Sequence, residues 1–287
     1  MRQSQPQLTD KWTTIRGLPL HYRVSIEPLP ANATSIVLVH GLGVCGHYML
    51  PTAYRLAPYY RVYVPDLPGF GKSAKPPDVL NMIELSDVLA AWMQAIGLQR
   101  AVLLGNSLGC QVIAHLALRH PEHIQRAILT SPTMDPRAPT IPHVIRRALL
   151  DIPFERLSLY PILLHDYLDA GIRRSLDTFH YALQDHIEHQ LPHLQIPTLV
   201  VRGSRDPVVP QHWAEAVTRL LPHGQLVVIR GAGHGINHNS PATLAKAVRV
   251  FLTQHFPDAS SLPAKPDHPQ GVALRGPALI IFNHLRW

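Results

Sequence analysis

The sequence predicts an α/β protein, a doubly wound and mostly parallel sheet covered on both faces by helices. Short apolar runs without polar alternation recur along the chain, as suits strands buried on both faces. Stretches with helical spacing separate them. The alternation is broken once, by a long segment that reads as helix without strand, and this predicts an inserted helical cap rather than a structureless loop.

Residues 12–25, WTTIRGLPLHYRVS, hold two runs of β-formers around Arg16-Gly17-Leu18-Pro19 and predict a hairpin at a sheet edge. The core strands follow as SIVLVH (35–40), YRVYVPD (60–66), RAVLLGN (100–106), RAILTSP (126–132), PTLVVRG (197–203) and QLVVIRG (225–231). Helical spacing marks 83–97, 108–121, 210–222 and 240–256. In the last of these Leu244, Ala247, Val248 and Phe251 share one face, Ser240 is placed to cap, and Pro241 falls in the first turn. The expected organisation is a core of 1–132 and 195–256, a helical cap over 133–194, and a proline-rich C-terminal extension over 257–287, read as a packed strap or a mere extension.

Composition narrows the function. The 46% hydrophobic content of 287 residues is enough for a sizeable core. The net charge of +7 is dispersed, with no basic run or basic stripe interleaved with aromatics, so no nucleic-acid partner is expected. The 19 histidines form no HExxH and no paired Cys/His spacing, so no metal is expected. Cys45 and Cys110 cannot make a disulfide framework and read as small buried thiols. No signal-peptide pattern and no apolar run of membrane-spanning length is present, which makes the cytoplasm the expected location.

The chemistry centres on Gly105-Asn106-Ser107-Leu108-Gly109, between an apolar run and a helical pattern. A GxSxG segment at a strand-to-helix junction lets the two elements pass closely around a strained turn that exposes the serine hydroxyl, while the helix N-terminus favours negative charge. A serine needs a base, and the base needs a carboxylate to orient it. Asp206, after the run TLVV, and His234, after LVVI, follow Ser107 in the chain order this arrangement requires. Asp135 is a rival carboxylate and His238 a rival base, but glycines on both sides of His234 let its loop enter a crowded site. The amides of Leu108 and Leu42 are the expected oxyanion donors. Leu42 lies in His40-Gly41-Leu42-Gly43, where Gly41 and Gly43 permit close backbone approach and His40 is expected to organise the loop by hydrogen bonding.

With HGLG (40–43), PDLPGFGKS (65–73), GNSLG (105–109), the Asp206 loop and GAGHG (231–235) in order, the chain resembles the α/β-hydrolase superfamily from about residue 12 to 256. The resemblance implies a hydrolase without cofactor, with a helical cap over its pocket. Dehalogenases and epoxide hydrolases of this fold carry aspartate at the nucleophile position, and Ser107 argues against them. Within the serine branch, Asn106 and PDLPGFGKS look like small carboxylesterases and also like hydrolases that cleave carbon–carbon bonds of ring-opened aromatic acids. The latter carry tryptophan after the catalytic histidine, where this chain has Gly235.

The leading expectation is therefore a serine esterase for small to medium apolar acyl or aryl groups. Its partner would be a small-molecule acyl substrate, with a homodimer left open. The alternatives are a C–C hydrolase and a slow-turnover ligand receptor on the same fold. Phe154, Tyr160 and Tyr167 in the cap are expected to line an apolar pocket or to pack the cap on the core.

Overall fold

The computed structural model describes residues 7–26, 28–30, 32–137, 140–254 and 279–282. The expected hairpin forms from β1 (Leu8–Ile15) and β2 (Leu18–Ser25), paired antiparallel from Leu8↔Ser25 to Ile15↔Leu18. Its turn residues Arg16 and Gly17 both have positive φ, 50° and 81°, the conformation whose twist matches a two-residue hairpin turn. The core strands are β3 (Ser35–Val39), β4 (Arg61–Pro65), β5 (Ala101–Asn106), β6 (Ile124–Thr130), β7 (Thr198–Gly203) and β8 (Gly224–Ile229). With β9 (Leu279–Phe282) they make a nine-stranded sheet in the order β1-β2-β4-β3-β5-β6-β7-β8-β9. Pairing is parallel throughout except within the hairpin and between β2 and β4.

Each apolar run alternates its side chains between two cores, which is why the runs show no polar period. Val37, Val39, Leu103, Leu129 and Val200 face one core, and Ile36, Leu38, Leu104, Ile128 and Val201 face the other. The first is covered by α2 (Met82–Ala95), α3 (Leu108–Arg119) and α8 (Gln211–Leu220), the second by α1 (Leu50–Leu56) and α10 (Pro241–Thr253). Between α8 and α10 the short α9 spans Ile236–Asn239. Asn81 and Glu84 form a reciprocal capping box at the start of α2. Ser240 and Pro241 stand at the cap and first turn of α10, and its predicted face is buried throughout.

Between β6 and β7 the chain inserts α4 (Ile141–Asp151), α5 (Tyr160–Ala170), α6 (Ile172–Gln184) and α7 (Ile187–Gln190), with short 3₁₀ turns between them. The insert docks on α3, where Gln111 Nε2 donates to Ala182 O (2.9 Å) and His115 Nε2 meets Asp185 Oδ1 (2.6 Å). It also docks on the loop after β4, where Lys75 Nζ pairs with Asp169 (2.8 Å) and Arg174 donates to Pro76 O (2.6 Å).

Of the C-terminal extension, Leu279–Phe282 adds to the sheet edge beside β8; the proline-rich stretch falls outside the described residues. The sequence reading contained no α1, a seven-residue helix started by Pro51 and too short to show a clear period.

Trp92 of α2 joins helix, hairpin and sheet: its ring stands edge-on to Tyr22 at 5.3 Å and to Tyr63 at 6.3 Å, fully buried. Truncating Trp92 to alanine should cost about 3–5 kcal/mol, read as a fall in the midpoint of urea unfolding.

Candidate active site

The loops after β3, β5, β7 and β8 leave the sheet at its carboxyl edge, the side on which open α/β sheets place ligands. Ser107 ends β5 and opens α3 at φ 54°, ψ −119°. An ordinary residue at positive φ is strained by about 1–2 kcal/mol. Main-chain bonds hold it there: Ser107 N donates to Thr130 O (2.9 Å) and Cys110 N to Ser107 O (2.9 Å). Asn106, buried, donates from Nδ2 to the same Thr130 carbonyl (3.3 Å).

The flanking glycines are required by backbone, not by flexible side chains. A Cβ on Gly105 would lie 2.6 Å from Gly109 O, and one on Gly109 would lie 2.5 Å from Val39 O and 2.8 Å from His40 O. Gly41 passes Ser107 so closely that its Cβ would stand 3.3 Å from that of the serine. Gly43, at φ 68°, lies under the Tyr167 ring with no room for a side chain.

His40 is buried and spends both ring nitrogens on main chain: Nε2 accepts from Leu67 N (3.0 Å), which leaves Nδ1 to donate to Gly41 O (2.9 Å). Burial pushes its pKa below the ordinary imidazole value. It therefore fixes the loop that carries Leu42, as its strand-end position suggested, and has no nitrogen free for proton transfer. Leu42 and Leu108 line one cavity with Ser107 and His234.

His234 and Asp206 meet. Nδ1 of His234 lies 3.0 Å from Oδ2 of the buried Asp206, whose Oδ1 accepts from Val208 N and Val209 N, both at 2.9 Å. Burial disfavours the carboxylate, but the facing imidazole, the Val209 amide and the Ser131 hydroxyl together keep the Asp206 pKa below its ordinary value. Both rivals are engaged elsewhere: Asp135 pairs with Arg147 (3.0 Å) and His212 (3.2 Å), and His238 Nε2 meets Ser158 Oγ (3.1 Å).

Two carboxyl groups that the sequence reading missed reach this site from the insert. Asp151 Oδ1 accepts from His234 N (3.0 Å), and Glu155 Oε1 accepts from Gly235 N (2.7 Å) while its other oxygen takes the Asn239 amide. Their signal in the sequence was indirect. A Cβ on Gly233 would stand 2.7 Å from Glu155 Oε1, and one on Gly235 would meet the other Glu155 oxygen, so a side chain at either position would require the carboxylate to move. Burial works against a charge on His234, but Asp206, Asp151 and Glu155 outweigh it and raise its pKa to about 9. Asp151 is pushed up to about 8 by burial and by its hydrogen bond to Glu155, against the pull of the imidazole.

The cavity holds about 410 Å³. Its floor carries Ser107 and His234, and its walls are mainly apolar, with Ile145, Ile152, Leu163, Leu176 and Phe179 from the insert. Tyr160 and Tyr167 line it as expected. Phe154 does not, and its ring instead lies 5.7 Å from the Arg205 guanidinium. Cys45 and Cys110 are free and buried. Among the described residues no cluster of His, Cys, Asp or Glu is arranged to hold a metal, and no helix is long and apolar enough to cross a membrane.

A family model described as the alpha/beta hydrolase fold matches residues 34–165, and a second, described as TAP-like protein, matches residues 178–261. The chain belongs to the α/β-hydrolase superfamily. Among relatives in this superfamily, a protein of Yersinia enterocolitica named as carbamate hydrolase RutD is 27% identical over 244 residues, covering 76% of this chain and 86% of its own. The crystal structure of a membrane phospholipase A, described as a bacterial virulence factor, superposes with a TM-score of 0.73 at 25% identity over 85% of this chain and 86% of its own. A thermophilic esterase from Thermogutta terrifontis superposes with a TM-score of 0.67 at 25% identity over 86% of this chain and 98% of its own.

Because the atoms facing Gly109 are main-chain carbonyls, Gly109→Ala cannot be absorbed by a side-chain rotation. The substitution should cost about 1–3 kcal/mol, measured as a lowered melting temperature in calorimetry.

Proposed function

We propose that the protein is a serine hydrolase that cleaves carboxylic esters of apolar acyl or aryl groups through a covalent acyl-enzyme. The observation that supports this most directly is that Ser107, held at positive φ, shares one largely apolar cavity with the hydrogen-bonded His234–Asp206 pair.

In this reading His234 Nε2 takes the Ser107 proton as Oγ attacks the ester carbonyl, and Asp206 fixes the tautomer through Nδ1. The tetrahedral oxyanion is received by the Leu42 and Leu108 amides, the latter at the N-terminus of α3. Collapse breaks the ester C–O bond, and the alcohol leaves with the proton from His234. Water, deprotonated by the same imidazole, then attacks the acyl carbon and releases the acid and Ser107.

A cavity of about 410 Å³ with apolar walls suits an apolar acyl or aryl group. The insert would act as a cap that shapes this space. Carbon–carbon cleavage is the second reading, since acyl transfer to Ser107 would serve it equally. The place beside His234 where that group of enzymes carries tryptophan is filled here by the Glu155 carboxylate, which favours esters.

Ser107→Ala should lower kcat on p-nitrophenyl butyrate by roughly 10⁴-fold; retention of most of the activity would refute the assignment. Each methylene added to the acyl chain should raise kcat/KM by about fourfold until the cavity is full, from about 0.8 kcal/mol of burial per methylene. A preference for acetate over every longer ester would contradict the pocket. Since His234 must be neutral to accept the proton and is raised to about 9, kcat/KM should climb with pH through a midpoint well above that of free imidazole. A midpoint near 6 in the pH–rate profile would oppose this.

A further inference from the structure

We infer that Asp151 and Glu155 form a carboxyl clasp through which the inserted segment positions His234 and bears on the charge of its imidazole. The inference rests on the proposed role of His234 as base.

The geometry is that of a grip on main chain. Asp151, at the end of α4, accepts from the amide of His234 itself (3.0 Å), and Glu155, four residues on, accepts from the next amide, Gly235 N (2.7 Å). The second Glu155 oxygen is held by the Asn239 amide of α9, and Arg156 N donates to the Asn239 side-chain oxygen (3.3 Å). Consecutive amides on either side of the His234 Cα are thus tied to one short stretch of the insert. Both carboxyl groups also line the cavity that holds Ser107.

Asp151 is buried, and burial together with its hydrogen bond to Glu155 pushes its pKa up to about 8, so Asp151 keeps its proton near neutral pH. The remaining charge acts with Asp206 to favour the imidazolium of His234. Arg156, the next residue in the chain, and Glu155 act on His238 with opposite sign. Tyr48 and Tyr160 face the pair and are themselves held protonated by burial and by these carboxylates, while His238 is engaged with Ser158 and Arg205 lies over Phe154. Gly233 and Gly235 complete the device, since a side chain at either position would displace the carboxylates.

The clasp acts on His234 in two separable ways, by place and by charge. Glu155→Gln alone would leave Asp151 to ionise, whereas Asp151→Asn together with Glu155→Gln keeps the shape and removes the pair's charge, so the imidazolium is less favoured and the acidic limb of kcat/KM should move toward lower pH by half a unit or more. Asp151→Ala and Glu155→Ala remove the grip, and kcat on p-nitrophenyl acetate should fall at least tenfold with KM for this small ester nearly unchanged.

The decisive measurement is an NMR titration of the His234 ring in Ser107→Ala protein, with and without the paired substitutions Asp151→Asn and Glu155→Gln, because it reads the imidazole without turnover. A downward shift of the His234 midpoint in the doubly substituted protein, with the melting temperature kept within a few degrees, supports the clasp. An unmoved midpoint overturns it, as does wild-type kcat in both alanine variants. If instead Ser107→Ala or His234→Ala retains activity, the proposed base role fails, and that result is distinct from an unmoved titration in an enzyme that Ser107→Ala inactivates.

Discussion

The arrangement depends on one close passage of backbone, the turn from β5 into α3. Gly109 packs against the carbonyls at the end of β3, Gly105 against Gly109, and Gly41 against Ser107. These contacts are possible because β3 and β5 are parallel neighbours in register, Val39 opposite Gly105, so the loop after β3 emerges beside the turn after β5. Thr130, at the end of the next strand, closes the turn from the other side by accepting from the Ser107 amide and from Asn106, while its hydroxyl donates to Gly105 O (2.7 Å). The strain at Ser107 persists because parallel strands on both sides over-determine it.

Electrostatics at the site follow from the same gathering of strand ends. One imidazole is surrounded by Asp206 from the core and by Asp151 and Glu155 from the insert. Two folded-state pKa values are raised by it, and both act on stability with the same sign. His234 contributes stability that is complete below its ordinary 6.5 and is lost as pH rises through about 9; Asp151 does likewise between its ordinary 3.8 and about 8. Asp206, held low, contributes in the opposite sense and is lost only in acid. These three groups together therefore favour the folded state near or below neutrality, whereas the neutral imidazole that the proposed base role needs is favoured above it.

Much of the fold was legible because its signals are local. Apolar runs of strand length have no polar period when both faces are buried, Arg16-Gly17 marks a tight hairpin turn, Pro241 a helix start, and the glycines around Ser107 a close approach of backbone. His234 and Asp206 were placed by chain order after successive strands, and they do meet. What stayed hidden is what depends on contacts across the chain. Asp151 and Glu155 lie some eighty residues from the main chain they hold, within a helical stretch whose charges read like any solvated face. Short elements escaped as well, since α1 and α9 offer too few residues for a period. Composition leaves Phe154 open between lining a pocket and packing the cap, and in the structure its ring lies beside the Arg205 guanidinium.

Gly235 links the hidden part to the visible one. Read alone, it was a departure from the C–C hydrolases and evidence of freedom in the histidine loop. In the structure that freedom is absent, because the space a side chain would need is filled by Glu155, whose carboxylate takes the Gly235 amide. A bulky residue there and a carboxyl clasp are mutually exclusive occupants of one volume. The insert that supplies the clasp also supplies Ile145, Leu163, Leu176 and Phe179 to the cavity, so the segment that would select the acyl group is physically continuous with the one that would tune the base. Changes that reshape α4 to enlarge the pocket would therefore move Asp151 as well, and with it the histidine loop. Substrate range and pH dependence in such a protein would shift together.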